Sequence, residues 1–338
     1  MWRKVNWMVL AAAWAALALN SAQAEITMDM VTVGNAGNAP DPTTGWGSLG
    51  YAYQIGKYEV TAGQYTAFLN AVASTDTYWL YNTRMSNAEY ASGITQSGGG
   101  TSGDPYTYTV NSAFVNRPVN YVSWGDAVRF VNWLSNGQPR GAQGLATTED
   151  GSYYLNGATS DTALGAVTRK ASATWVIPTT NEWYKAAYHK NDGVTGDYFM
   201  YPTSNDSPPG RDMTDASGNN ANCYGPGPDP IDSGKYYTTV VGQFQKSASP
   251  YGTFDQGGNV MEWHEAGIGG SFGLRGGAFD DPSTELLMYN GFFYVPPTYE
   301  ESEFGFRVAS SEAVPEPGSV AALLGMAVMG LIWRRRRK

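Results

Sequence analysis

The sequence predicts an α+β domain dominated by loops, with little regular secondary structure. Three features carry that expectation. The chain of 338 residues holds 41 glycines, 23 tyrosines and 11 tryptophans, a composition of turns and aromatic packing rather than of long helices. Helix-start signals recur, but each opens only a short apolar-periodic run. Two long stretches, 74–112 (rich in Ser, Thr, Gly and Tyr) and 191–235 (rich in Gly, Pro, Asn and Asp), read as loop or insertion.

Taken in order, residues 1–24 have Arg3 and Lys4, an apolar stretch, and Ala22-Gln23-Ala24. A basic start, a short apolar core and an A-x-A end describe a secretory signal peptide cleaved after Ala24. Residues 51–60, YAYQIGKYEV, alternate as a strand does. Thr61 through Gln64 has capping-box spacing, and Tyr65, Phe68, Leu69 and Val72 follow at helical intervals. Ser123 through Asp126 repeats the device with a shorter acid, ahead of a run stopped by Gly137. Thr179 through Glu182 gives a third start, leading WYKAAYHK. At the far end, residues 315–338 combine Pro315-Glu316-Pro317, a short apolar run from Val320 to Trp333, and RRRRK. The run is shorter than the roughly 20 residues of a relaxed membrane span, and the basic cluster would hold it on the cytoplasmic side. A plain membrane anchor is one reading of this tail. Both ends place residues 25–314 outside the cytoplasm, with membrane contact only through the tail.

Composition narrows the function. Setting aside the seven basic residues and one acidic residue of the two ends leaves 14 basic and 29 acidic residues, a net charge of −15. Such a surface repels phosphate backbones and excludes nucleic acid as a partner. A single cysteine, Cys223, excludes an internal disulfide framework. Two histidines, His189 and His264, leave little room for a His-rich zinc site or a His-based triad.

Residues 255–266, DQGGNVMEWHEA, draw most interest. Asp255 and Glu262 bracket a Gly-Gly-Asn turn, and Gly257 and Gly258 let the backbone aim carbonyls inward. Hard carboxylate and carbonyl oxygens suit calcium rather than zinc or copper. A tight turn with solvated acids is the alternative.

Six segments in order resemble the formylglycine-generating enzyme family, also called the sulfatase-modifying factor domain: IGKYEVTAGQYTAFLNAV, NRPVNYVSWGDAVRFVNWLS, WVIPTTNEWYKAAYHK, ASPYGTFDQGGNVMEW, LRGGAFDD and FGFRVAS. The resemblance runs from about Tyr53 to Ser310 and implies a loop-rich, C-type-lectin-like fold with bound calcium. By position it implies calcium ligands at the Asp255 side chain, the Gly258 and Val260 carbonyls and the Glu262 side chain. A second, looser calcium site would map to Asn222, the Cys223 carbonyl and Asp232. Catalytic members hold copper on two cysteines just after a Gly-Gly-Ser-aromatic motif and oxidise a cysteine of a sulfatase. Here the motif is Gly276-Gly277-Ala278-Phe279, and the two thiolate positions fall on Asp281 and Leu286. An Asp and a Leu do not select Cu(I), and no other cysteine lies nearby along the chain, so copper is not expected. The tail resembles the PEP-CTERM sorting signal of Gram-negative bacteria, which implies handling by an exosortase and a final place in the periplasm, at the cell surface or in the extracellular matrix.

Three functions fit these residues. The first is a catalytically silent, calcium-stabilised binding module for a glycan or protein ligand, drawing on the aromatic residues Trp79, Trp124, Trp175, Trp183 and Trp263, most of them expected in the core. The second is an enzyme that still modifies a protein substrate, through an oxygen-rich site of His264, Glu265, Asp280 and Asp281. The third is a structural component of an exopolysaccharide matrix.

Overall fold

A computed structural model describes residues 25–310 except Ala88. The expected signal peptide and sorting tail lie outside the described residues. The N-terminal segment is tied down first: the Gln138 side-chain amide donates to the Ile26 carbonyl (2.9 Å) and accepts from the Ile26 N–H (2.8 Å). Strand β1 (Met30–Val33) then pairs antiparallel with β2 (Tyr53–Gly56), Met30 opposite Gly56. On the other side of β2 lies β10 (Ala309–Ser310), which in turn pairs with β5 (Trp175–Val176). The two ends of the domain thus meet in one four-stranded sheet.

The alternation of residues 51–60 yields a strand of only four residues. One further bond, Lys57 N–H to Asp29 at 2.7 Å, follows the same register; the chain then turns to other partners, Val60 N–H bonding Phe306 at 2.9 Å, so Tyr58 and Glu59 leave the β1–β2 ladder. Helix α1 (Ala62–Val72) follows, with the Thr61–Gln64 capping box formed as the spacing predicts. The stretch expected to be loop at 74–112 contains a hairpin, β3 (Ile94–Ser97) with β4 (Thr107–Val110), its Thr95 and Thr109 hydroxyls bonded across the strands at 2.8 Å. Helix α2 (Trp124–Ser135) is capped by Ser123 with Asp126 and is buried on every side from Trp124 to Leu134. Such a helix belongs in a core, not on a surface. A one-turn helix, α3 (Asp161–Leu164), was not foreseen; α4 (Thr180–Tyr188) starts at the Thr179–Glu182 box as expected. Residues 191–235 hold only isolated bridges.

The second four-stranded sheet has the order β8 (Phe293–Val295), β7 (Ser271–Arg275), β6 (Met261–Ile268) and β9 (Phe304–Gly305), with β6 and β9 parallel. Aromatic rings join the layers: Phe68 of α1 meets Phe130 of α2 edge-on at 5.3 Å, and Phe130 meets Phe306 at 5.4 Å. Each such pair is worth about 0.5–1.5 kcal/mol beyond its buried area. Trp124 stacks on Phe272 at 3.7 Å, and Trp124, Trp183 and Trp263 are fully buried. Trp175 is half-buried, leaving Trp79 as the one tryptophan of the five that is largely exposed. No helix among the described residues is long and apolar enough to cross a membrane.

Candidate functional site

The Asp255–Glu262 run leads into β6, and its shape follows from three left-handed residues. Asp255, Gly258 and Asn259 all have left-handed backbone, with φ of 58°, 82° and 61°. A Cβ on Gly258 would collide with the Asn222 carbonyl, so side chains are excluded by contact as well as by conformation. Three backbone bonds fasten the loop: Gly258 N–H to Gly276 (3.0 Å), Asn259 N–H to Asn222 (2.8 Å) and Phe279 N–H to Asn259 (3.1 Å). The segments singled out separately in the sequence, 222–223, 255–262 and 276–279, are therefore one assembly.

Glu262 and Arg307 form its buried centre. Both have no exposed surface, and Arg307 grips the carboxylate in a fork, Nε to Oε2 at 2.5 Å and Nη2 to Oε1 at 2.6 Å. The Trp183 indole N–H adds a third bond to Oε2 at 2.7 Å. The rest of the guanidinium donates to the Gly56 and Phe254 carbonyls at 2.9 and 2.8 Å. Glu262 is thus a structural ion-pair partner as well as an expected calcium ligand, with Oε1 keeping acceptor capacity.

Two more carboxyls share this region and have no cation of their own. Asp255 accepts from the Gly242 N–H; enclosure of its carboxyl pushes its pKa from 3.8 to about 6. The residue is half-buried, but the carboxyl itself is fully surrounded, which is what sets the shift. Glu59 is buried, and neither of its oxygens has a hydrogen-bond partner in proper geometry; only its own amide lies near. Burial first, then repulsion from Asp255 and Glu262, drives its pKa well above the usual carboxylate range. An orphaned buried carboxylate in a native fold calls for a proton, a water or an ion.

At the looser second position, the Asn222 amide donates to the Tyr237 carbonyl (2.7 Å) and to Asn259 Oδ1 (3.0 Å), while its buried Oδ1 has no partner. The Asp232 carboxylate is engaged by Arg117. Oxygen donors are present, but one of them already balances a guanidinium.

The two thiolate positions have structural roles. The Asp281 carboxylate accepts from the Ala278 N–H at 2.9 Å and pins the turn after Gly277. Leu286 is fully buried in a small apolar cluster with Tyr201, Ala221, Leu287 and Cys223. That last contact corrects the expectation that no cysteine lies nearby. Cys223 is distant in sequence, but the 222–224 loop folds across the site, Tyr224 N–H bonding the Asp281 carbonyl at 2.7 Å. Burial pushes the Cys223 thiol up to about 11, so at neutral pH it is a packed thiol, not a thiolate.

The alternative oxygen-rich site is not assembled. His264 faces Thr180 Oγ1 at 3.0 Å and stacks on Phe292, with burial and Arg275 holding its pKa well below the usual value. Glu265 binds Arg169 at 2.9 Å and the Tyr153 hydroxyl, in a network shared with Glu182. Asp280 and Asp281 lie in the turn after Phe279, where the Asp281 carboxylate is taken up by the Ala278 N–H. Among the described residues, no three His, Cys, Asp or Glu side chains converge as a metal-holding group. His264 and Glu265 are instead held apart by different partners, and the β6–β7 register breaks just after His264, with the Glu265 N–H bonded to Pro178 at 2.9 Å.

The model for the sulfatase-modifying factor enzyme 1-like domain matches residues 30–312. The chain belongs to the sulfatase-modifying factor family. A PEP-CTERM protein-sorting motif matches residues 313–337, which marks the protein for export, exosortase-type sorting and the cell envelope of Gram-negative bacteria. No curated protein matches the chain. Among solved structures, CarF is similar at 22% identity and a TM-score of 0.53, covering 84% of this chain and 98% of its own. Treponema denticola variable protein 1 is similar at 19% identity and a TM-score of 0.50, covering 83% and 94%. At these identities the likeness establishes the fold, with its 15% helix and 19% strand.

Two members of the site escaped the sequence: Glu59 and Arg307. Both stand inside recognisable family segments, GKYEVT and FGFRVAS, yet nothing local signals that they meet. The available hint was a charged residue flanked by apolar neighbours on each side, a pattern that usually means a buried, paired charge.

Proposed function

We propose that this is an exported member of the sulfatase-modifying factor family that lacks the copper–thiolate oxidase site and serves as a calcium-stabilised binding module at the cell surface or in the extracellular matrix. The observation that carries the reading is the chemistry at the two thiolate positions. Leu286 packs apolar side chains and Asp281 caps a turn, and the single thiol near them, Cys223, is protonated and cannot form the pair that Cu(I) requires.

Calcium is supported by the donor set. Asp255, the Gly258 and Val260 carbonyls and Glu262 would hold the ion, and it would balance the charge that Asp255 and the orphaned Glu59 leave uncompensated. Asn222, with its open Oδ1, and the Cys223 carbonyl are the oxygen donors for a second ion; Asp232 could join only by sharing Arg117. The ligand of the module is a glycan or a protein, and the alternative is an active protein-modifying oxidase. The deciding experiment incubates the mature protein with a sulfatase-motif peptide and probes for aldehyde by hydrazide labelling. The proposal requires no aldehyde; labelled peptide would establish the enzyme instead.

A further inference from the structure

An open cleft of about 480 Å³ lies beside the Asp281 turn and is absorbed by none of the roles above. Its wall is aromatic: Tyr237 stands 6.5 Å from Tyr90 and 5.4 Å from Phe279, ring centre to ring centre, and Tyr224 is half-exposed on the same cleft. Its remaining sides carry four carboxylates, Glu89, Asp229, Asp280 and Glu303, and no lysine or arginine lines it. None of these four acids forms an ion pair among the described residues, although exposed pairs form elsewhere on the surface.

From this we infer that the cleft binds an organic cation, an alkylammonium or guanidinium group, with its charge among Asp280, Glu303 and their neighbours and its stem against the Tyr90–Tyr237–Phe279 wall. The inference rests on the reading of the domain as a binding module and supplies that module's ligand class. Three considerations select this class. Aromatic faces attract cations through their quadrupole, and the attraction grows where carboxylates add their charge. The acids are spread around a cleft of ligand size and do not converge on a point, which a metal ion would demand but an extended cation does not. A sugar would need polar side chains that both donate and accept; here the carboxylates only accept and the Ser302 hydroxyl already donates to Glu303 at 2.6 Å, leaving the tyrosine hydroxyls as side-chain donors. Burial and mutual repulsion raise the pKa of Asp280, and burial that of Glu303, as expected of acids grouped without a counter-charge.

The group could arrive on an arginine or lysine side chain of a peptide or on a polyamine, and two probes separate these sources. Residues 25–314 would be titrated with Nα-acetyl-arginine amide and with spermidine, followed by calorimetry and saturation-transfer NMR, with cellobiose as the neutral comparison. Saturable binding of at least one cation is expected, weakening as salt is added. The tighter of the two identifies the source. Asp280→Asn with Glu303→Gln should raise its Kd about tenfold, roughly threefold for each exposed carboxylate. Tyr90→Leu should raise it about threefold with no change in melting temperature, since Tyr90 is exposed. The inference falls if neither cation binds below about 10 mM. It also falls if the variants bind as well as the parent, or if cellobiose binds more tightly than both. Aldehyde formation or copper content would overturn the binding-module reading without altering these titrations, so the two failures are distinct.

Discussion

Replacing Glu262 by Gln should be among the most damaging single changes in the domain, for a reason independent of calcium. The substitution keeps the shape but removes the charge that balances Arg307, in a place with no access to water. The new amide would also point N–H donors at the donors of Arg307 or Trp183, which now share Oε2 at 2.5 and 2.7 Å. Breaking one side of a buried ion pair costs about 3–5 kcal/mol. For a domain of this size that is roughly 10 °C in melting temperature, at about 2–4 °C per kcal/mol. The assay is thermal unfolding followed by near-ultraviolet dichroism, with and without chelator. Arg307→Met alone should be comparably destabilising, because it strands Glu262 and leaves the Gly56 and Phe254 carbonyls without their donors. The double variant should cost clearly less than the two singles added, since no unpaired charge remains. A drop of less than about 1 kcal/mol for Glu262→Gln, or strict additivity, would refute the claim that the pair is buried and coupled.

Chelation should lower the melting temperature of the parent, as loss of any ligand bound only by the folded state does, and Asp255→Asn should remove most of that effect while leaving Arg307 paired. On the proposed reading calcium would compete with protons here: without the ion, the raised pKa of Asp255 makes its contribution to stability greatest below pH 3.8 and lost as pH climbs through about 6. The stabilisation by added calcium should therefore grow over that same window, and a flat response between pH 4 and 6.5 would argue against Asp255 as a ligand. Gly258→Ala should destabilise by roughly 2–4 kcal/mol through positive φ and the clash with Asn222, read as a shift in denaturation midpoint at unchanged slope. In a Gram-negative host the periplasmic protein should begin at Glu25; intact Met1 by mass spectrometry would contradict cleavage after Ala24.

What could be read from the sequence was what is local. All three capping boxes formed, because a Thr or Ser and the residue three positions on meet through their own backbone without help from the rest of the chain. The β3–β4 hairpin did not announce itself. Its ITQS and TYTV strands are too short to outweigh the Gly and Ser between them, and their stability comes from packing against α1, where Asn70 bonds the Tyr108 backbone at 2.8 and 3.0 Å. The two-residue strands β9 and β10 exist only through partners far away in sequence. The same division holds at the site. The Asp255–Glu262 loop was legible from its Gly-Gly-Asn turn, whereas the approach of Glu59 and Arg307 depends on β2 and β10 pairing across the whole length of the chain. Cys223 seemed remote from Leu286 for the same reason, and only the crossing of the 222–224 loop brings them together.

One measurement bears on the central claim most directly: metal content per chain of the mature protein, purified without chelator and analysed by mass spectrometry for calcium and copper together. The account predicts calcium at one equivalent or more, reduced in Asp255→Asn, and no copper retained after dialysis, because the buried Glu59 oxygens lack hydrogen-bond partners near Asp255 while Asp281 and Leu286 supply no thiolate. Stoichiometric copper, or a calcium-free protein whose stability ignores the ion, would contradict it.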